Sequence, residues 1–253
     1  MEDPTFTYKE DSETGQLLIS GMGELHLDVL VTRITKEMKV DCRVGNPQVS
    51  YRESIKETVS GTEEYDKVIA NKENYAKLTL TVSPSPEKSG NSLTISAKTR
   101  DIPEEIIDAI KNGINGAFNS GIKYGYETTD IHVDIEDIDY DPLRASVLAF
   151  SSCAALAFDK LCSSANPVIM EPIMTVQASA PSEYIGDVIS SITQRGGIVS
   201  SMESKASGDT VIAEVPLRKM FGYTTVLRSS TQGRGSFSME FDHYSEKPDG
   251  LGF

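Results

Sequence analysis

Glu24, His26 and Asp28 set an imidazole between two carboxylates, the residue types of a metal site or of an acid–base pair. Their spacing argues against both. The run from Glu24 to about Lys39 carries Leu25, Val29, Leu30, Ile34 and Met38 at helical intervals. Residues two apart on a helix point away from each other, so His26 is turned from both acids. His132 and His243 stand alone, one on a strand pattern and one at a strand end. Cys42, Cys153 and Cys162 are odd in number and lack CxxC spacing, which speaks against a disulfide framework or zinc site and for the cytoplasm. Gly21-Met22-Gly23 and Gly233-Arg234-Gly235 are too short for a phosphate cradle, and no GxxxxGK[ST] run occurs. There is no Ser/His/Asp order and no HExxH. The chain reads as one without catalytic, cofactor-binding or metal-ligating residues of its own.

Composition sets the frame for that chemistry. A chain of 253 residues, 38% hydrophobic and 25% charged, has room for two or three small globular domains. No apolar run approaches the roughly 18 residues of a membrane span, and the N-terminus lacks the basic and apolar regions of a secretory signal. The net charge is −14. Residues 1–43 carry 5 basic against 9 acidic side chains, residues 44–166 carry 12 against 19, and residues 167–253 carry 7 against 10. Contact with a phosphate backbone therefore requires local basic patches on an acidic body.

The elements follow from periodicity and turn residues. Thr5–Tyr8 and Leu17–Ser20 read as a hairpin around Glu13-Thr14-Gly15, followed by the Glu24–Lys39 helix and a strand over Asp41–Val44. Val44-Gly45-Asn46-Pro47 marks a boundary. Gln48–Ile55, Tyr75–Ser83, Ser92–Ala97 and Ile131–Glu136 alternate as strands, with a polar, charged stretch over Thr58–Asn74. Pro103 starts a helix with Ile106, Ile110, Ile114 and Phe118 inward and Gly121 past its end. Asp141-Pro142 opens a second helix, with Asp141 as its cap, running to about Cys162. Asn166-Pro167 is the next boundary. Beyond it come a strand over Glu171–Ala178 and a helix started by Pro181 with Ala180 at its cap. Strands over Ile198–Met202 and Thr210–Val215 flank a turn at Ser207-Gly208-Asp209. A helix from Leu217 through Leu227 and a strand holding Phe237, Met239 and Phe241 complete the order βαββαβ.

Four stretches carry a family resemblance: ISGMGELHLDVL over Ile19–Leu30, VGNPQVSYRESI over Val44–Ile55, PVIMEPIMTVQASAPSEYIGDVI over Pro167–Ile189, and PLRKMFGYTTVLRSSTQGRGSFSMEFDHY over Pro216–Tyr244. In this order they closely resemble the C-terminal portion of elongation factor G, the translational GTPase that moves tRNA and mRNA through the ribosome. The resemblance implies an α+β chain in which two ferredoxin-like βαββαβ domains flank a βαβ domain like ribosomal protein S5 domain 2. Part of the third domain would occupy 1–43, the fourth 44–166 and the fifth 167–253. The first would lack its opening strand and helix, as in a truncated piece. GTP and Mg²⁺ would belong to a G domain of the parent. The implied setting is a cytoplasmic monomer working in protein biosynthesis with ribosomal RNA, tRNA and ribosomal proteins.

The resemblance also assigns residues. The fourth domain of this family reaches the decoding site with two loops at its tip. One usually reads like GGRGQYGHV. The matching run here is Ala70-Asn71-Lys72-Glu73-Asn74-Tyr75-Ala76-Lys77-Leu78, which keeps Tyr75, replaces the arginine by Lys72 and loses the glycines. The other usually carries Tyr-His, and here Tyr140-Asp141. Lys72, Asn74, Tyr75, Tyr140 and Asp141 are thereby the implied RNA contacts, with Lys72 meeting a phosphate and the tyrosines stacking on bases. Asp141 would repel RNA, and could equally serve only as a helix cap. In the last domain, Arg228, Ser229, Ser230 and Arg234 are implied to face the ribosome, although either arginine could simply cover apolar surface. Translocation, ribosome recycling, ribosome protection and a non-RNA interaction module all remain open at this level.

Overall fold

The computed structural model describes residues 7–10, 15–20, 24–45, 47–205 and 208–248. The expected turns at Glu13-Thr14 and Gly21-Met22-Gly23, together with Asn46 and Ser207, lie outside these residues, as do the side chains of Glu24, Leu25 and His26. The chain divides into two compact units, residues 1–50 with 172–243 and residues 51–171 with 244–253.

In the first of these, strands β1 (Thr7–Glu10) and β2 (Leu17–Ser20) pair as an antiparallel hairpin. Helix α1 (Glu24–Thr32) continues as a π-helical stretch over Arg33–Glu37. Two expectations fail here. Asp41–Val44 is not a strand: Lys39 takes a positive φ of 55°, and the exposed run that follows pairs with no strand among the described residues. The helix also buries less than its apolar stripe predicts, since Val29 and Met38 are both exposed.

The same unit holds the βαββαβ arrangement. It comprises β8 (Pro167–Ala180), α4 (Ile185–Gln194), β9 (Ile198–Lys205), β10 (Gly208–Pro216), the short α5 (Leu217–Met220), α6 (Tyr223–Ser230) and β11 (Ser236–Glu246). The strand order β11-β8-β10-β9 is that of a ferredoxin-like sheet, with β10 antiparallel to both neighbours. Val176, Ala178, Val211, Ala213 and Val215 meet Val188, Ile192, Tyr223 and Leu227 in its core. The helix expected from Leu217 through Leu227 is broken: Gly222 sits at φ 72°, a region that costs glycine little, and α6 restarts behind it. Ala180 is not a cap. It is the last residue of β8, and Pro181 leads instead into a 3₁₀ turn over Ser182–Tyr184.

The second unit is a four-stranded sheet, β4 (Val59–Ile69), β5 (Lys72–Pro84), β7 (Ile131–Asp139) and β6 (Ser92–Ile95), in the order β4-β5-β7-β6. Only the β6–β7 pair is parallel. Helices α2 (Glu104–Ser120) and α3 (Val147–Ser164) pack against it. Leu78, Leu80, Val82, Ile131, Val133 and Ile135 face Ile110, Ile114, Phe150 and Phe158, all fully buried. The helices approach closely at Gly113, where a Cβ would stand 2.4 Å from the Ser151 carbonyl. α3 is long and apolar enough to cross a membrane by composition, yet it carries Phe150, Ala154 and Phe158 into this core. Strand β3 (Arg52–Ile55) pairs with Pro167–Met170, the part of β8 that belongs to this second unit. Its buried Glu53 accepts the backbone N–H groups of Lys123, Tyr124 and Tyr126, which fixes the loop behind α2.

The polar, charged stretch Thr58–Asn74 holds all of β4 and the start of β5. Its alternation is masked because an edge strand tolerates charge on its open side: Tyr65 is buried while Glu64 and Asp66 are exposed. The hairpin closes through Ala70 and Asn71, both at positive φ (51° and 60°), as a tight two-residue turn requires. α3 begins at Val147, not at Asp141. Its cap is Ser146, whose hydroxyl accepts the Ala149 N–H at 3.1 Å.

Candidate nucleic-acid interface

The end of the second unit that carries the β4–β5 hairpin also receives the loop after β7. The two segments are stitched together by backbone. The Tyr75 N–H donates to the Arg144 carbonyl at 2.9 Å, and Tyr75 forms an isolated parallel bridge with Ala145. Side chains repeat the contact. Ser146 Oγ donates to Asn74 Oδ1 at 2.7 Å, and Tyr75 Oη donates to Asp139 Oδ2 at 3.0 Å. Burial and the neighbouring Asp139 carboxylate push the Tyr75 phenol up to about 12.

The five residues assigned to this tip are thus gathered at one place, but they differ in exposure. Lys72 is exposed. Asn74 and Tyr75 are buried, and Asn74 Nδ2 is spent on the Lys72 carbonyl at 2.8 Å. Tyr140 is half-buried, its ring 6.4 Å from that of Phe150. Asp141 does not cap α3. It closes a turn, accepting the Leu143 N–H at 3.0 Å through its side chain and the Ala145 N–H at 2.8 Å through its carbonyl.

Arg144, which the sequence reading passed over, sits at the centre. Its Nε donates to Asp141 Oδ2 at 2.8 Å, its Nη1 lies 3.6 Å from Asp66 Oδ2, and Glu73 is 4.0 Å away. The guanidinium carbon stands 4.3 Å from the centre of the Tyr75 ring. The Arg144 side chain and then the Leu143 N–H hold the Asp141 carboxyl below the usual carboxylate range, and the same pairing raises Arg144. Asp141 is therefore a paired charge and not an isolated repulsive one. Next to it Leu143 is 91% exposed, an apolar side chain at the apex of the loop. The signal for Arg144 was the Asp-x-x-Arg spacing, which suits a turn as well as a helix.

In the other unit, Arg228, Ser229 and Ser230 end α6. Arg228 and Ser229 are exposed, while Ser230 Oγ turns back to the Leu227 carbonyl at 3.1 Å. The turn that follows is organised by Thr231, fully buried, which donates to the Leu227 carbonyl and accepts the Gly235 N–H. Arg234 projects from this turn onto Tyr184, its guanidinium 4.8 Å from the ring centre. It binds the Tyr184 hydroxyl at 2.6 Å and the Glu183 carboxylate. Arg234 and Arg228 thus lie on one stretch, and Arg234 is engaged at the surface.

Elsewhere the titratable groups look structural. His132 pairs with Ser92 at 2.8 Å and His243 with Asp242 at 2.6 Å. Cys153 and Cys162 are buried, which pushes both thiols up, Cys153 to about 11. No group of three or more metal-ligating side chains occurs among the described residues.

Comparison with known proteins covers nearly the whole chain. Residues 1–46 match the model of elongation factor G domain III, residues 47–166 that of domain IV, and residues 168–251 that of the elongation factor G C-terminus. The chain is 52% identical over 255 aligned residues to Elongation factor G 1 of Treponema denticola and 45% identical over 251 to Elongation factor G 2 of Treponema pallidum. These alignments take in 97% and 96% of the chain, and it spans 37% of each relative's length. A crystal structure of a protein from Thermus thermophilus superimposes with a TM-score of 0.86 at 33% identity, over 98% of this chain and 37% of that one.

Proposed function

The chain belongs to the elongation factor G family, and we propose that it is the RNA-contacting portion of a translation factor that promotes GTP-dependent movement of tRNA and mRNA on the ribosome. In this reading residues 1–43, 44–166 and 167–253 act as three domains of a cytoplasmic, monomeric parent. GTP and Mg²⁺ are handled by its G domain, and this chain supplies contact and movement. The ribosome is the partner, reached by the tip of the middle domain and by the turn after α6.

The observation that carries the proposal is the tip itself. Two loops far apart in sequence are fastened side by side, with Lys72 and Leu143 left outward, within a chain whose three consecutive segments match three consecutive domains of one family. Lys72 can meet a phosphate, and Leu143 can pack on a base or sugar. Asn74, Tyr75 and Tyr140 then serve by shaping the surface from beneath.

The test is single-round translocation with the intact parent protein on ribosomes carrying tRNA and mRNA. The expected result is rapid mRNA movement that depends on GTP. Splitting of ribosomes into subunits without mRNA movement would instead assign the protein to recycling. Absence of salt-sensitive ribosome binding would reduce it to a protein-interaction module, which the net charge of −14 would suit.

A further inference from the structure

Arg144 joins segments of the tip that lie far apart in sequence. Its partners come from three segments: Asp66 on β4, Glu73 and Tyr75 on β5, and Asp141 on the loop after β7. Its main chain takes part as well, the carbonyl accepting from Tyr75 and the N–H donating to Asp141. Side chain and backbone therefore record the same contact between hairpin and loop.

Charge gives this arrangement its direction. Asp66, Glu73 and Asp141 stand against the Arg144 guanidinium that lies over the Tyr75 ring, and Asp139 accepts from the Tyr75 hydroxyl. Four carboxylates at close range would push the loop from the hairpin. One planar cation can bind several of them and lie flat on the tyrosine at the same time, which a lysine ammonium cannot do. Lys72, by contrast, makes no ion pair among the described residues.

We propose that Arg144 is the positioning residue of the tip: it locks the loop after β7 onto the β4–β5 hairpin, and so fixes where Lys72 and Leu143 are presented to RNA. The proposal rests on the functional reading above for its consequence in translation. It assigns Arg144 no phosphate of its own, because its charge is consumed inside the tip.

The experiment compares Arg144→Ala, Arg144→Lys and Lys72→Ala in the intact parent protein. Arg144→Ala slows single-round mRNA movement by about tenfold, as a small misplacement of contact groups does. Its ribosome affinity keeps the wild-type salt slope, whereas Lys72→Ala flattens that slope by about one unit. Arg144→Lys does not restore the rate. Movement within about twofold of wild type in Arg144→Ala overturns the proposal. A flattened slope in Arg144→Ala, or full rescue by lysine, overturns it equally, since the first makes Arg144 a contact and the second makes geometry irrelevant. A second measurement stands apart from translation. In the 253-residue chain, amide exchange at Tyr75 speeds up by about tenfold in Arg144→Ala. Unchanged protection there overturns the positioning role even if the parent translocates. A wild-type parent that fails to move mRNA overturns only the functional reading.

Discussion

Arg144 and Arg234 both lie on tyrosine rings and bind carboxylates, and they differ in how deeply and by how many partners each is held. Arg144 lies over the buried Tyr75, faces carboxylates from three segments, and has a side chain 35% exposed. Arg234 lies over the half-buried Tyr184, is paired with Glu183, and has a side chain 50% exposed with its carboxylate at 61%. An exposed single pair is worth little and is screened by salt, so a phosphate can replace Glu183 at small cost. A guanidinium among several carboxylates on a buried ring has no such freedom. The same residue types thus make a cluster of carboxylates around one cation in one unit and a single exposed pair in the other.

The platforms should break this comparison most clearly. Tyr75→Ala removes a buried ring, leaving Arg144 without its platform and Asp139 without its hydrogen-bond donor. It is expected to cost about 3–4 kcal/mol in urea unfolding of the second unit. Tyr184→Ala empties a partly exposed site and should cost about 1–2 kcal/mol. Equal costs would mean that the two arginines sit on equivalent supports.

The surface arginine comes next. Arg234→Ala in the intact parent should weaken ribosome binding several-fold at low salt and flatten the plot of log affinity against log salt by about one unit. Unchanged affinity across the salt range would leave Arg234 as cover for Tyr184.

How far the sequence reveals these two places depends on the range of their contacts. Strands β5 and β7 alternate cleanly, and α2 keeps Ile106, Ile110, Ile114 and Phe118 on one face, so the core of the second unit is legible. The βαββαβ order of the last segment is legible for the same reason, as is the turn at Gln232-Gly233-Arg234-Gly235. Strand β4 is not, because an edge strand with charges on its open side hides its period of two. The assigned tip residues come from a family pattern, which says where loops meet but not which side chains face outward. Burial of Asn74 and Tyr75 and the central place of Arg144 are set by pairings across strands. No local pattern encodes them. Asp141-Pro142 misleads in the opposite way: a good helix-start signal is used for a turn, while Ser146 supplies the cap.

Alkali should separate the rings themselves. The folded phenol of Tyr75 titrates near 12, above the ordinary tyrosine value near 10, so the folded state favours the protonated form. Its contribution is complete below the unfolded value and is lost as pH rises through the folded one. Stability of the second unit should therefore fall between about pH 10 and pH 12, and Tyr75→Phe should flatten that fall. An identical alkaline profile in the phenylalanine variant would remove the Tyr75–Asp139 hydrogen bond from the account.

Asp141 gives the smallest expected effect and the finest distinction. Arg144 holds its carboxyl below the ordinary value, so the pairing is complete above about pH 4, the unfolded aspartate range, and is lost as pH falls through the lower folded value. Because the pair lies at the surface end of the loop, the change should be local: the Leu143 amide, which donates to Asp141, loses protection in acid while the core amides of Leu78 and Ile135 keep theirs. Asp141→His tests the same point at neutral pH. A neutral imidazole leaves Arg144 its ion-pair neighbours Asp66 and Glu73 and its place on Tyr75, so the loop should stay on the hairpin, with single-round mRNA movement within about threefold of the parent. A larger gain would show that the Asp141 charge reaches RNA despite its partner. A larger loss would show that Asp141, and not the remaining partners of Arg144, holds the cluster together.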